Sequence, residues 1–291
     1  MSSARSPRVR SLLAAAAVTA SLGVAAGAGA APASAQSAVA HYVALGDSYA
    51  SGAGVPTQVD TDCTRSDHNY PSVVSASLAP AVRTDVTCGG AVTDDMTSAQ
   101  SASAPPQFDA LTSDTDLVTV TIGGNDIGFA DILVRCISLG VLSPGGSPCK
   151  TSYTWTGTDQ LARTINSTAP KIAAVLDGVH QRAPHAKVLV VGYPDILPDD
   201  GSNCSSTVSI AKGDAPWLRD TEKRLNSMIA AQAASHGATY VDTYRPSVGH
   251  DVCKAAGTRW VEPLLTTAAA PFHPNAAGEQ SMGQAAVAAA R

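Results

Sequence analysis

The chain has little that would suit it to nucleic acid, metal or nucleotide binding. It carries 19 basic residues against 24 acidic ones, and an acidic balance argues against nucleic acid or an anionic membrane as a standing partner. No cysteines stand in a C-x-x-C pattern and no histidines in an H-x-H pattern, so the usual spacing of a zinc site is missing. Gly52-Ala53-Gly54 lacks the third glycine of a dinucleotide-binding fingerprint.

Long apolar runs are also missing, except near the N-terminus. Arg5, Arg8 and Arg10 form a basic start, residues 11–30 are small and apolar, and Ala33-Ser34-Ala35 follows as an A-x-A cleavage site. This pattern predicts a secretory signal peptide over residues 1–35. The alternative is a membrane anchor, but the run is rich in Ala and Gly rather than Leu and Ile, and a cleavage site follows it. We therefore expect a secreted protein that is not inserted in a membrane.

The mature chain would comprise residues 36–291, with 16 basic and 24 acidic side chains and a net charge of −8. It is long enough for one large domain, and it contains neither an internal repeat nor a Pro/Gly/Ser linker. We expect a single domain and a monomer.

Six cysteines lie in this mature region. An even number of cysteines in an exported chain indicates disulfides, and many pairings are formally possible. We favour the sequential pairing because each bridge would then close a loop between core elements. These bridges would be Cys63–Cys88, Cys136–Cys149 and Cys204–Cys253.

Short apolar runs alternate with segments of helical periodicity along the mature chain. This rhythm is typical of βαβ units, and it predicts a three-layer α/β/α sandwich around a central parallel sheet of about five strands. We expect loops over residues 57–69 and across the long excursion 129–155. The predicted strands are 41–45, 81–87, 116–122, 187–191 and 239–241, and the predicted helices are 70–78, 159–181, 215–235 and a last one that begins at residue 274.

Chemically informative residues follow three of these strands. Ser48 comes directly after the first strand, Gly90 after the second and Asn125 after the third, whereas His273 precedes the last helix. Acyl transfer needs a hydroxyl with a base beside it, together with fixed donors for the oxyanion of the tetrahedral intermediate. A glycine N–H and a side-chain amide can supply such donors. Each residue alone has an ordinary explanation as a turn or cap residue, but together they match this requirement.

Four blocks in this order resemble the SGNH (GDSL) hydrolases, over nearly all of the mature chain. The blocks are Gly46-Asp47-Ser48, Gly90 after Cys88-Gly89, Gly123-Gly124-Asn125-Asp126 and His273-Pro274-Asn275. With three disulfides, the chain looks like the secreted bacterial lipases and esterases of that family. The resemblance implies a flavodoxin-like fold, ester hydrolysis without a cofactor, Ser48 as nucleophile and His273 as base. It also implies an oxyanion hole made by the Ser48 N–H, the Gly90 N–H and the Asn125 amide.

Two positions depart from the family pattern. Tyr49 stands where the family has Leu, and we expect it only to pack locally. Ala270 stands where most members have an Asp three residues before the histidine. A main-chain carbonyl can fix the same imidazole tautomer as a carboxylate, although it lacks the charge that stabilises the imidazolium. We therefore predict that the carbonyl of Ala270 orients His273, with Asp251 or Glu262 as the carboxylate alternatives.

The sequence leaves other functions open. A phospholipase or a carbohydrate deacetylase would use the same nucleophile, because only the pocket distinguishes these enzymes from a lipase. A binding protein with a relic site is the alternative outside enzymes, and the joint presence of all four blocks argues against it. A serine-reactive phosphonate probe would test that alternative directly.

Overall fold

The computed structural model describes residues 39–200 and 202–291, except for the side chain of Ser205. The predicted signal peptide lies outside these residues. The strands are β1 (His41–Gly46), β2 (Gln58–Asp60), β3 (Arg65–Ser66), β4 (Val82–Asp85), β5 (Leu117–Thr121), β6 (Lys187–Val191) and β7 (Thr239–Val241). The helices are α1 (Ser48–Ser51), α2 (Tyr70–Leu78), α3 (Phe129–Leu142), α4 (Pro148–Thr154), α5 (Gln160–Arg182), α6 (Ser205–Val208), α7 (Ala215–Ser235), α8 (Tyr244–Ser247) and α9 (Ala276–Ala290). Short 3-10 helices lie at Thr93–Met96 and Gln107–Ala110.

Five of the strands form a parallel sheet in the order β4-β1-β5-β6-β7. All residues of β5 are buried, as expected of a strand covered on both faces. On one face the sheet packs against α5 and α7, and on the other it packs against α2 and α9. The predicted α/β/α sandwich is confirmed.

Two segments that the sequence suggested to be loops contain regular structure. Residues 57–69 hold the small antiparallel pair β2–β3. Residues 129–155 hold α3 and α4, which are separated by the Pro- and Gly-containing run after Leu142. Ile132, Cys136 and Gly140 are buried on one face of α3, and Pro148 occupies the first turn of α4, where its missing N–H costs nothing. The periodicity that indicates α3 was obscured by the turn signals beside it.

The three disulfides follow the sequential pairing, which is confirmed. Cys136–Cys149 joins α3 to α4, and Cys63–Cys88 ties the β2–β3 hairpin to the loop after β4. Over the residues that the structure covers, no helix has both the length and the apolar character required to cross a bilayer.

Candidate active site

Ser48 lies at the carboxyl edge of the sheet, on a turn that the local sequence dictates. Gly46 ends β1 with a φ of 143°, and a Cβ there would lie 2.6 Å from the Thr121 carbonyl oxygen. Only glycine therefore fits this exit from the strand. Asp47 is the N-cap of α1, and its Oδ1 accepts a hydrogen bond from the Tyr49 N–H at 2.9 Å. Ser48 becomes the first residue of the short helix, directly above the strand.

The imidazole of His273 lies against this serine. The Nε2 atom of His273 is 2.8 Å from Ser48 Oγ, and Nδ1 is 2.8 Å from the carbonyl oxygen of Pro271. Because a carbonyl can only accept, Nδ1 carries the proton and Nε2 is free to accept from the serine hydroxyl. Burial lowers the pKa of His273, and the hydrogen bond to Pro271 partly opposes this effect. The imidazole is thus held neutral, which is the form that a general base needs.

The prediction that the Ala270 carbonyl orients His273 is wrong. The Ala270 oxygen accepts from the main-chain N–H of His273 at 3.1 Å, and the side chain bonds one residue further on, at Pro271. The reason is the tight turn at this point, where Phe272 adopts a left-handed φ of 61°. The imidazole consequently folds back to the second preceding carbonyl rather than to the third.

Neither carboxylate alternative reaches the imidazole. Glu262 accepts hydrogen bonds from Arg259, Thr266 and Asn275. Burial raises the pKa of the Glu262 carboxyl, but these donors outweigh it and lower the pKa overall. Asp251 accepts from the Cys253 N–H at 2.9 Å, next to the third disulfide. Both acids therefore brace loops near the site, and a main-chain carbonyl occupies the position that a triad carboxylate usually takes.

Tyr49 does more than pack locally. It is buried, and its hydroxyl donates to the Phe272 carbonyl at 2.6 Å. Its ring centroid lies 4.7 Å from that of His273. The residue after Ser48 thus holds the turn that carries His273, a link between residues that are distant in the chain. The departure from Leu at this position was the available signal, since a buried tyrosine usually bonds through its hydroxyl.

Gly90 and Asn125 come to the same site from two other strands. Both line an open groove together with Ser48 and His273. The Asn125 amide donates one hydrogen bond, to the Ala91 carbonyl at 2.9 Å, which ties it to the Gly90 loop. The N–H of Gly90 and the second N–H of the Asn125 amide have no acceptor within residues 39–200 and 202–291. Donors near the serine that lack partners are what an oxyanion requires.

A buried hydrogen-bond network joins the loops behind the serine. The hydroxyl of Tyr193 donates to Asp47 Oδ2 at 2.6 Å and accepts from the Gly124 N–H at 2.8 Å. Burial raises the pKa of Asp47 to about 7, against the lowering effect of the hydrogen bonds from Tyr193 and Tyr49. Asp126 in turn accepts from Thr93. The two aspartates brace their turns, and Tyr193 connects the Ser48 turn to the Asn125 turn.

Two apolar compartments meet at Ser48. One is a narrow pocket of about 70 Å³ that passes between α3, α7 and the loop after β6. The other is the open groove of about 430 Å³, whose wall is formed by α3 residues such as Leu133 and Ile137. Val134 on this wall is 65% exposed. Each compartment could hold one part of an apolar ester.

A parallel α/β/α sandwich that brings a serine and a histidine together at the carboxyl edge of its sheet has the layout of a hydrolase. Comparison with known proteins narrows this class. Residues 44–280 match the model of the GDSL-like lipase/acylhydrolase family, and the chain belongs to that family. The protein is accordingly a carboxylic ester hydrolase of the lipase and esterase type.

Relatives agree with this assignment over most of their length. The chain is 47% identical over 250 residues to Lipase 2 of Streptomyces coelicolor, covering 84% of this chain and 83% of that protein. Among solved structures, phospholipase A1 from Streptomyces albidoflavus is 33% identical with a TM-score of 0.71, over 87% of this chain and 99% of that one. An extracellular lipase from Streptomyces rimosus is 31% identical with a TM-score of 0.69, over 86% and 98%.

Proposed function

We propose that Ser48 is the nucleophile of this ester hydrolase and that His273 is its general base. The observation that carries the proposal is the 2.8 Å contact between Ser48 Oγ and His273 Nε2. In this scheme Nε2 takes the hydroxyl proton while the serine oxygen attacks the ester carbonyl. The resulting imidazolium then gives the proton to the leaving alcohol, and water releases the acyl group by the same steps in reverse order.

The oxyanion of the tetrahedral intermediate would be stabilised by three N–H groups. These belong to the main chain of Ser48, the main chain of Gly90 and the amide of Asn125. The Pro271 carbonyl would hold the imidazole tautomer in place of a carboxylate. Because a carbonyl lacks a full charge, it stabilises the imidazolium less, and a larger share of the rate enhancement then rests on the oxyanion donors.

The substrate class that fits best is an ester with a long apolar acyl chain. The narrow pocket would take the acyl chain, and the groove along α3 would take the rest of the ester. Val134 on this groove is 65% exposed, and Leu264 also lines it, which suits a lipid more than an acetylated sugar. A phospholipid is the second candidate, since the groove has room for a second chain and a similar protein is named phospholipase A1.

We also propose that residues 1–35 are a signal peptide and that residues 36–291 form one domain that is secreted as a monomer. Three disulfides support an oxidising destination, because such bonds persist mainly outside the cytosol. The similar lipase from Streptomyces rimosus is described as extracellular. Mass spectrometry of the exported protein, which should begin at Gln36, tests the cleavage site.

Hydrolysis of p-nitrophenyl esters and labelling by a fluorophosphonate test the catalytic assignment. Ser48→Ala should abolish both, and His273→Ala should abolish hydrolysis. Ser138→Ala on the exposed face of α3 is the matched control and should retain both. Asp251→Asn should keep most of the rate, and a large loss there would assign the third catalytic role to that carboxylate.

A further inference from the structure

The narrow pocket beside Ser48 is lined by a carboxyl group that ester hydrolysis does not require. Helix α7 turns one face towards the pocket, with Leu218, Thr221, Glu222 and Leu225 at the spacing of one helical stripe. Glu222 is the acidic residue of this stripe. Its Oε1 atom is buried and has no hydrogen-bond partner in the part of the chain that the structure describes.

The other polar side chains around the pocket already have partners or a proposed role in the reaction. The Asp47 carboxylate accepts from the Tyr49 N–H and the Tyr193 hydroxyl, and the Tyr49 hydroxyl donates to the Phe272 carbonyl. The Thr221 hydroxyl donates to the Trp217 carbonyl at 2.9 Å. Ser48 and Asn125 belong to the proposed catalytic machinery. Glu222 is therefore the polar side chain of this lining that has neither a full set of partners nor a proposed role in the reaction.

The local bonds of Glu222 do not account for its position. Its Oε2 atom receives one long hydrogen bond, from the Ile196 N–H at 3.4 Å. Lys223, the next residue, pairs with Asp199 instead. A buried carboxyl with an unpaired oxygen reduces folding stability, and buried polar groups are normally satisfied. A leucine at this position would continue the apolar stripe without that penalty, so the carboxyl is best explained by a ligand.

The surroundings favour the neutral form of this acid. Burial raises the pKa of Glu222 well above its ordinary value, and the nearby Asp195 carboxyl raises it further. Asp195 is itself fully buried, and it does not line the pocket. A protonated carboxyl can both donate and accept one hydrogen bond, so its natural partner is a neutral oxygen such as a hydroxyl or a ketone. An ionised partner would be poorly solvated among the apolar side chains around it.

We propose that Glu222 forms a polar subsite in the acyl pocket, and that the enzyme prefers acyl chains bearing a hydroxyl or keto group to plain hydrocarbon chains of the same length. The proposal rests on the assignment of this pocket to the acyl chain. Glu222 would be a specificity-determining residue. A chain with an oxygen at the right position pairs with Oε1, whereas a plain chain of that length leaves the carboxyl unpaired.

The test uses two series of p-nitrophenyl esters, one with plain and one with terminally hydroxylated acyl chains, of about four to sixteen carbons. The enzyme should favour the hydroxylated ester about tenfold in kcat/KM at one or two chain lengths. Glu222→Leu should reduce this ratio to about one and improve the plain esters, while Glu222→Gln should keep part of the preference. Asp220→Asn, an exposed acid on the same helix, is the control and should behave as the parent enzyme.

A short substrate and a variant with a filled pocket separate this proposal from the catalytic one. The acetyl ester is too short to reach α7, so the parent enzyme, both Glu222 variants and Asp220→Asn should hydrolyse it equally. If the parent enzyme does not hydrolyse it, the catalytic assignment is refuted rather than the subsite. Leu225→Trp, which fills the pocket, should suppress long acyl esters and spare acetyl ester. If it changes nothing, the acyl chain does not enter this pocket and the subsite is refuted with that assignment.

Two further results bear on Glu222 itself. Glu222→Leu should raise the melting temperature, because it removes an unpaired buried acid, and a fall would mean that the carboxyl serves the fold. An equal ratio of hydroxylated to plain esters in the parent enzyme and in Glu222→Leu, at every chain length, would overturn the proposal. So would a preference for amino-terminated over hydroxylated chains, because it would show an ionised carboxyl.

Discussion

The hydroxyl of Tyr49 should be needed for the position of His273, the proposed base, and Tyr49→Phe tests this. The change removes one oxygen and leaves the ring against His273. In the structure this hydroxyl is the donor to the Phe272 carbonyl, at 2.6 Å, and no other donor to that carbonyl is found in the described part of the chain. The variant leaves a buried acceptor unpaired next to the base.

The expected loss of kcat in Tyr49→Phe follows from two contributions to the free energy. An unpaired buried acceptor costs about 1–3 kcal/mol. The left-handed conformation of Phe272 stores a further ~1–2 kcal/mol, which the turn can release by moving once its anchor is gone. If about 1.4 kcal/mol of this total is lost in the transition state, kcat falls about tenfold. KM should change little, because the hydroxyl is engaged by the turn rather than by substrate.

Tyr42→Phe is the matched control. Tyr42 is also a buried tyrosine, and its hydroxyl lies 2.8 Å from that of Thr119, in the core on the other face of the sheet. Both variants should lose stability in denaturant unfolding, but only Tyr49→Phe should lose kcat on a p-nitrophenyl ester. If the two variants have equal kcat values at equal loss of stability, Tyr49 serves the fold alone and the reasoning is refuted.

Other perturbations probe the same loops. The acid limb of the pH profile of kcat/KM should have its midpoint below the ordinary histidine pKa of about 6.5. The reason is that burial lowers the pKa of His273, so the neutral imidazole persists to lower pH. A midpoint above that value would contradict the buried geometry. Gly54→Ala should lower activity, since its Cβ would lie 2.4 Å from a main-chain nitrogen of the histidine loop, whereas Gly157→Ala has a similar positive φ with open space around it and should spare activity in the same assay. Replacing Cys204 and Cys253 by serine should cost about 4 kcal/mol in denaturant unfolding, as expected for a closed loop of this length, and a loss under about 1 kcal/mol would show that the unfolded chain is already constrained.

Local sequence was a good guide to the core elements. The strands at 187–191 and 239–241 and the helices at 70–78 and 215–235 have the bounds that their patterns predict. These segments are strongly periodic or continuously apolar, so tertiary contacts reinforce the local preference. The prediction of a loop over residues 129–155 was wrong because the turn residues in the middle of this segment say nothing about the helices on either side of them. The prediction of a loop over residues 57–69 missed the hairpin β2–β3 because its strands are too short to show an alternating pattern.

Some residues of the candidate site could be identified from the sequence and others could not. Ser48, Gly90, Asn125 and His273 could be selected from sequence, because each follows a strand or precedes a helix in an order that one kind of chemistry requires. Their roles remain predictions until the variants above are measured. Glu222 could not be selected, since an acid four residues after an apolar position on a long helix reads as a solvated surface residue. The burial of its Oε1 atom depends on how α7 packs against the loop after β6.

The sequence by itself determined the sheet and its helical layers, the three disulfides and the segments that supply the site. These depend on local periodicity, on the number and spacing of cysteines and on the order of the blocks, all of which can be read along one dimension. Only the tertiary structure decided that Pro271 rather than Ala270 faces the imidazole and that Tyr49 anchors its turn. A hydrogen bond selects among neighbouring acceptors by differences of about an ångström. Such differences arise from the single left-handed residue Phe272 and from a tyrosine hydroxyl that reaches it from the opposite end of the chain.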